Sequence, residues 1–248
     1  MSSATGLNVV VTGGSGPSGI AAARALRDAG HTVFTVGSDG DRIAAAATAA
    51  GSGVTPVVCD LASLAEVRAL RETVHAGLSG AAPTVDGVIH LVGGWRGAKG
   101  ITDQSDDDWD FLERGAITTL RNVSRAFYDD LEASATGRFA MVSSTAVDNP
   151  TAAGASYVAA KAAAEAWTLA VADGFRRAQS GRPKASIEQR SAATIFVVKA
   201  LVDAQMRAKS PERTFPGFTD VEDLAAAAAG LFTAPAAQLN GRRLLLNP

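Results

Sequence analysis

Four short apolar runs rich in β-branched residues recur along the first third of the chain: LNVVVT (Leu7 to Thr12), HTVFTV (His31 to Val36), VTPVVCD (Val54 to Asp60) and DGVIHLV (Asp86 to Val92). The stretches between them place apolar residues at helical spacing, as in IAAARALRDAG. Strands that alternate with helices cannot close as tight hairpins. They pair side by side through crossovers, and this restricts the chain to a parallel, doubly wound sheet with helices on both faces. At 248 residues and 47% hydrophobic content, the chain suits one α/β domain spanning residues 1–248, with no repeat and no interdomain linker.

Two segments carry chemistry. The first strand runs directly into GGSGPSG and then a helix. A glycine-rich turn there lets backbone N–H groups approach a phosphate, and the positive end of the helix dipole adds to the attraction. The second segment begins with RFAMVSS (Arg138 to Ser144), an apolar run that reads as a buried strand. Asn149 and Pro150 break it, and the alanine-rich stretch after Thr151 reads as a long helix. Tyr157 and Lys161 lie four apart on that helix and share a face, with Ser144 at the end of the strand. A phenol titrates near 10, but a nearby ammonium favours phenolate and draws the group toward working pH.

Thr12-Gly13, Gly19, Asp60-Leu61, Gly93, Ser144 and Tyr157-x-x-x-Lys161, in that order and spacing, make the chain similar to a short-chain dehydrogenase/reductase over essentially its whole length. The resemblance implies a Rossmann-type, three-layer α/β/α fold. It also implies NAD or NADP as cofactor, held by Gly13, Ser15, Gly16, Pro17, Ser18, Gly19, Ser38, Asp60, Leu61, Val92, Gly93, Tyr157 and Lys161. Among these, Asp60 bonds the adenine. Catalysis falls to Ser144, which polarises a carbonyl, Tyr157, the general acid or base, and Lys161, which lowers its pKa and binds the nicotinamide ribose. The expected reaction interconverts a carbonyl and a secondary alcohol. The alternative is a catalytically weak or inactive nucleotide-binding protein with a regulatory or assembly role.

Departures from the family pattern favour that alternative. Pro17 stands where a glycine is usual and removes one N–H donor, although proline is well placed in a helix's first turn. His90-Leu91-Val92-Gly93 replaces an Asn-Asn-Ala-Gly, and His90 reads as a hydrogen-bonded structural histidine. Ala116 occupies the place of an asparagine that belongs to a proton relay. IFVVKALVD (Ile195 to Asp203) lacks the usual Pro-Gly.

Cofactor choice turns on the end of the second strand. Gly37 and Ser38 present no carboxylate to repel a 2′-phosphate, and Arg42 follows, so the reading leans to NADP, with Asp39 arguing for NAD. Between Lys199 and Thr219 a substrate lid is expected. Leu201, Met206, Phe215 and Phe218 would line its pocket, and Lys199, Arg207, Lys209 and Arg213 would meet an anionic group. Trp95 is a further candidate wall. A net charge of −2 gives no general reason to bind nucleic acid or an anionic membrane. Three histidines and the single Cys59 form no visible metal-ligand cluster, so no metal is expected. The start MSSATGLN has no basic and apolar signal region, and no run is long enough to span a bilayer, so a cytoplasmic protein is expected. Small residues in AAKAAAEAWTLAVA (Ala159 to Ala172) suit close helix packing, and a homodimer or homotetramer is expected.

Overall fold

A computed structural model of the protein describes residues 6–78, 84–181 and 188–246. Its first half repeats strand and helix: β1 Asn8–Thr12, α1 Pro17–Asp28, β2 Thr32–Gly37, α2 Gly40–Ala50, β3 Val54–Val58, α3 Leu64–Ala76 and β4 Gly87–His90. Then come α4 Asp106–Glu113, α5 Thr119–Ala133, β5 Arg138–Ser144, α6 Ala155–Ala178 and β6 Ala192–Val198. The remainder comprises β7 Leu201–Val202, α7 Ala204–Lys209, β8 Thr219–Asp220, α8 Val221–Gly230, α9 Ala236–Leu239 and β9 Arg243–Leu245. Seven strands form one parallel sheet in the order β3-β2-β1-β4-β5-β6-β9, and β7 pairs with β8 outside it. The expected doubly wound architecture is the observed one.

Local chemistry sets the element boundaries. Asp39 caps α2 by accepting from Arg42 N at 2.8 Å, and Ser63 and Ser105 cap α3 and α4 in the same way. Pro17 opens α1 at its first turn, where its missing N–H has no partner to lose. The apolar run IFVVKALVD is two strands, broken at Lys199 and Ala200. The helix expected after Thr151 begins with a 3₁₀ turn, Ala152–Gly154, before α6. Residues Arg114–Thr118 form a π-helical turn between α4 and α5, and Ala116 lies within it.

Alternation along the buried strands divides the core between the two faces of the sheet. Val10, Val88, Phe139 and Ile195 pack with Leu70, Leu120, Phe127 and Phe175 under α3, α5 and α6. Val9, Val11, Ile89 and Phe196 pack with Leu26, Leu224 and Leu231 under α1 and α8. Burying a Phe or Leu side chain contributes about 1.5–3 kcal/mol, so these layers dominate the folding energy.

At the N-terminal end of the strands, Arg138 is buried and, among the described residues, has no carboxylate partner. Its guanidinium donates to the carbonyls of Leu231, Gly137, Arg190 and Ala234 at 2.7–2.8 Å, and burial lowers its pKa to about 10. At one edge of the sheet, Cys59 N donates to Gly37 O. Alternate residues of a strand face opposite neighbours, so Pro56 directs its nitrogen to the open side of β3.

Candidate active site

The site forms at the C-terminal ends of β1, β4, β5 and β6, where a doubly wound sheet opens a crevice. After β1 the chain turns so tightly that only glycine fits at two places. Gly13 has φ +77, and a Cβ there would lie 2.8 Å from the Leu91 carbonyl carbon and oxygen. A Cβ on Gly19 would lie 2.5 Å from Gly13 O and from Gly14 Cα. The backbone of the turn is thereby exposed at the start of α1.

Two cavities share Leu91, Val92 and Gly93. One, of about 520 Å³, is lined by Gly13, Ser15, Gly16, Ser38, Asp60 and Leu61, with Gly37, Asp39, Arg42, Phe111 and Thr119 at its wall. Its neighbour, of about 390 Å³, is lined by Ser18, Trp95, Ser143, Tyr157, Lys161, Lys199 and Leu201. Both volumes suit a bound small molecule. The structure thus gathers most of the expected residues along one continuous crevice. Pro17 and Gly19 shape the turn from within α1, and Ser144 is buried, hydrogen-bonded to Tyr157 and outside the lining of both cavities.

Tyr157 is held above its ordinary pKa by burial, with a side-chain hydrogen bond from Ser144 acting the other way. Lys161 is buried, its ammonium donates to Val142 O at 2.8 Å, and burial lowers its pKa to about 8 while Glu165 raises it. The sequence suggests that Lys161 draws the phenol down. In the structure burial prevails and Ser144 supplies the opposing effect, because the ammonium is turned onto the β5 backbone. Gly93 is what lets it pass: a Cβ there would be 3.3 Å from Lys161 Nζ.

His90 has the structural role expected of it. Thr12 Oγ1 lies 2.7 Å from its Nδ1 and Thr119 Oγ1 lies 3.2 Å from its Nε2. The Thr119 hydroxyl already donates to Gly115 O at 2.7 Å. His90 therefore donates from Nε2 and accepts at Nδ1 from Thr12. Burial and the Lys161 charge lower its pKa to about 3.

Ala116 is buried with Leu112 and Ala160 against Tyr157, an apolar wall beside the phenol. From the lid region Lys199, Ala200 and Leu201 line the cavity wall. Arg213 lies over the Phe215 and Phe218 rings, and Arg207 pairs with Asp220 at 3.4 Å. Lys199 donates to Pro216 O at 3.0 Å.

Sequence reasoning missed several residues of the crevice. Arg114 pairs with Asp60 Oδ2 at 2.6 Å, and Phe111 and Thr119 line the wall. Among the described residues no group of three His, Cys, Asp or Glu could hold a metal ion, and no helix is long and apolar enough to cross a membrane.

The parallel doubly wound sheet, with a glycine-cradled turn at a helix start beside a crevice holding Tyr157 and Lys161, defines a Rossmann-type fold. The profile of the short chain dehydrogenase family matches residues 7–179, and the chain belongs to that family. No curated protein matches it. Solved structures of similar fold are many. An NADPH-bound short chain oxidoreductase from Pseudomonas aeruginosa PAO1, containing an atypical catalytic center, is 20% identical with a TM-score of 0.81, covering 98% of this chain and 97% of its own. A short-chain type dehydrogenase/reductase from Mycobacterium ulcerans is 20% identical, TM-score 0.80, covering 98% and 89%. A gluconate 5-dehydrogenase from Burkholderia cenocepacia J2315, in complex with NADP and tartrate, is 23% identical, TM-score 0.75, covering 98% and 94%.

Proposed function

We propose that the protein is an NAD(P)-dependent oxidoreductase that interconverts a carbonyl and a secondary alcohol on a small molecule, with cofactor and substrate sites in one domain. The observation that carries this is the shared wall at Leu91, Val92 and Gly93, which joins the glycine-cradled cavity to the one containing Tyr157 and Lys161. The cradle fits a dinucleotide: a Cβ at Gly13 or Gly19 would fill the space where the backbone folds under a pyrophosphate. Gly13, Ser15, Gly16, Ser18 and Gly19 would hold the phosphates, Asp60 and Leu61 the adenine, and Lys161 the ribose. When bound, the nicotinamide supplies or takes the hydride.

The chain's own residues handle the proton. Tyr157, buried and protonated at neutral pH, gives its proton to the carbonyl oxygen in reduction and takes it back in oxidation. Ser144 orients that oxygen and the phenol together. Lys161 places a positive charge below them.

NADP is favoured over NAD. Gly37, at the cavity wall, presents no carboxylate to repel a 2′-phosphate. Asp39 spends one oxygen capping α2, and Arg42 stands at the cavity wall as a phosphate partner. Trp95 and Leu201 form the apolar walls of the substrate pocket. A homodimer or homotetramer fits the exposed stripe Ala159, Ala162, Ala163, Ala166 and Leu169 on α6. Its location is read as cytoplasmic.

The apolar wall at Ala116 favours a second reading, a nucleotide-binding member with weak or no turnover. One experiment decides: NADH and NADPH binding measured side by side by calorimetry, then oxidation of the bound cofactor against a carbonyl panel. Tyr157→Phe is expected to lower kcat by a factor of about 10² to 10⁴ with cofactor affinity retained. Wild-type kcat in that variant removes the tyrosine assignment, and absence of binding at millimolar cofactor removes the oxidoreductase reading.

A further inference from the structure

Below the crevice, charges alternate in sign from the interior to the surface. Lys161 and Glu165 are one turn apart on α6, and both are buried. They attach to successive residues of β5: the ammonium donates to Val142 O, and the Ser143 hydroxyl donates to the carboxylate. Glu165 Oε2 then pairs with Arg243 Nε of β9 at 2.9 Å, and Arg243 Nη1 pairs with Asp148 Oδ1 at 2.9 Å in the turn after β5. Among the described residues the other buried carboxylates are Asp86 and Asp130. Asp86 precedes β4 at the opposite end of the sheet, and Asp130 is engaged by Arg71 and His75 between α3 and α5.

A buried ammonium whose direct partner is a neutral carbonyl needs a counter-charge to stay protonated. We propose that Glu165 supplies it: Glu165 is a positioning residue for the Tyr157–Lys161 pair, and Arg243 of the last strand limits its effect. The inference rests on the oxidoreductase reading for its catalytic meaning, but the electrostatic link itself does not. The groups beside Lys161 and Glu165 are Tyr157 on the same helix, His90 from β4, Ser143 from β5 and Arg243 from β9, with Asp148 of the turn paired to Arg243. His90 is neutral across the range concerned.

The sign of each change follows. Removing the carboxylate leaves the ammonium uncompensated, so Lys161 loses its proton at lower pH. Removing the Arg243 cation frees the carboxylate to act on Lys161 alone, so the proton is held to higher pH.

The test titrates Lys161 directly by heteronuclear NMR of protein labelled at the lysine side chains. The chain has five lysines, and Lys161→Arg assigns the signal. In Glu165→Gln the Lys161 titration is expected to move down by about one unit, and in Arg243→Gln to move up. In the enzyme assay the alkaline limb of kcat for carbonyl reduction shifts in the same two opposite directions. A merely structural role would lower kcat in both variants without moving the limb. If Lys161 titrates at the same pH in Glu165→Gln, or in the same direction in both folded variants, the proposal is overturned. Failure of wild-type turnover would instead sink the oxidoreductase reading and leave the titration result standing.

Discussion

Gly19→Ala tests the phosphate turn by a single methyl group. The added Cβ would stand 2.5 Å from both Gly13 O and Gly14 Cα, about 0.9 Å inside ordinary contact at 3.4 Å, and both neighbours are backbone with no rotamer to yield. Overpacking of this kind costs about 1–3 kcal/mol. Replacing glycine by alanine inside a helix returns up to about 1 kcal/mol, so the free protein is left up to about 2 kcal/mol less stable and lowers the overlap only by shifting the turn's backbone. Cofactor binding then has to draw the turn back, and the strain appears as lost affinity, roughly fivefold to a hundredfold. Gly40→Ala, at the start of α2 and outside the cavity lining, is the internal control. Its Cβ would meet only Val58 Cγ2 at 3.7 Å. Calorimetric titration with NADPH and urea unfolding of both variants provide the comparison. Equal affinities in Gly19→Ala and Gly40→Ala would refute the cradle.

Arg138→Met should cost about 3–5 kcal/mol, since it strands carbonyls that the buried guanidinium now satisfies; urea unfolding reads the loss, and a cost under about 1 kcal/mol would show that water replaces it. His90 carries a stability signal at acid pH. Its folded pKa of about 3 lies below the unfolded value near 6.5, so the unfolded chain takes up a proton that the folded one refuses, and stability falls by about 1.4 kcal/mol for each unit of pH descended between those values. His90→Asn should flatten that slope in a series of unfolding curves, and an unchanged slope would place the acid sensitivity elsewhere.

The strands were legible because buried parallel strands are continuous apolar runs, and Arg138–Ser144 was found at its observed bounds. Ser144, Tyr157 and Lys161 were legible because one strand and one helix fix their spacing. Lys199 and Ala200 interrupt IFVVKALVD without any glycine or proline to mark the break. The π-helical turn at Arg114–Thr118 likewise has no local signature, and it decides how Ala116 meets Tyr157. Arg114 reaches Asp60 across 54 residues and Arg243 reaches Glu165 across 78, so their roles exist only once the sheet has assembled. Glu165 stands in a small-residue stretch of helix and has no local signature of its own. Its meaning comes from β5 and β9.

Pro56 has a consequence for the protein among its neighbours in a crowded solution. A parallel sheet ends in a strand with one row of unpaired backbone groups, and such a row invites a strand from another molecule. On the open side of β3 the middle position has no hydrogen to offer, so an incoming chain would find its ladder interrupted at the second rung. The exposed Val58 beside it, which would otherwise make that border adhesive, is left without a register to support docking. Pro56 thus guards the β3 border of the sheet against pairing with a strand of another copy.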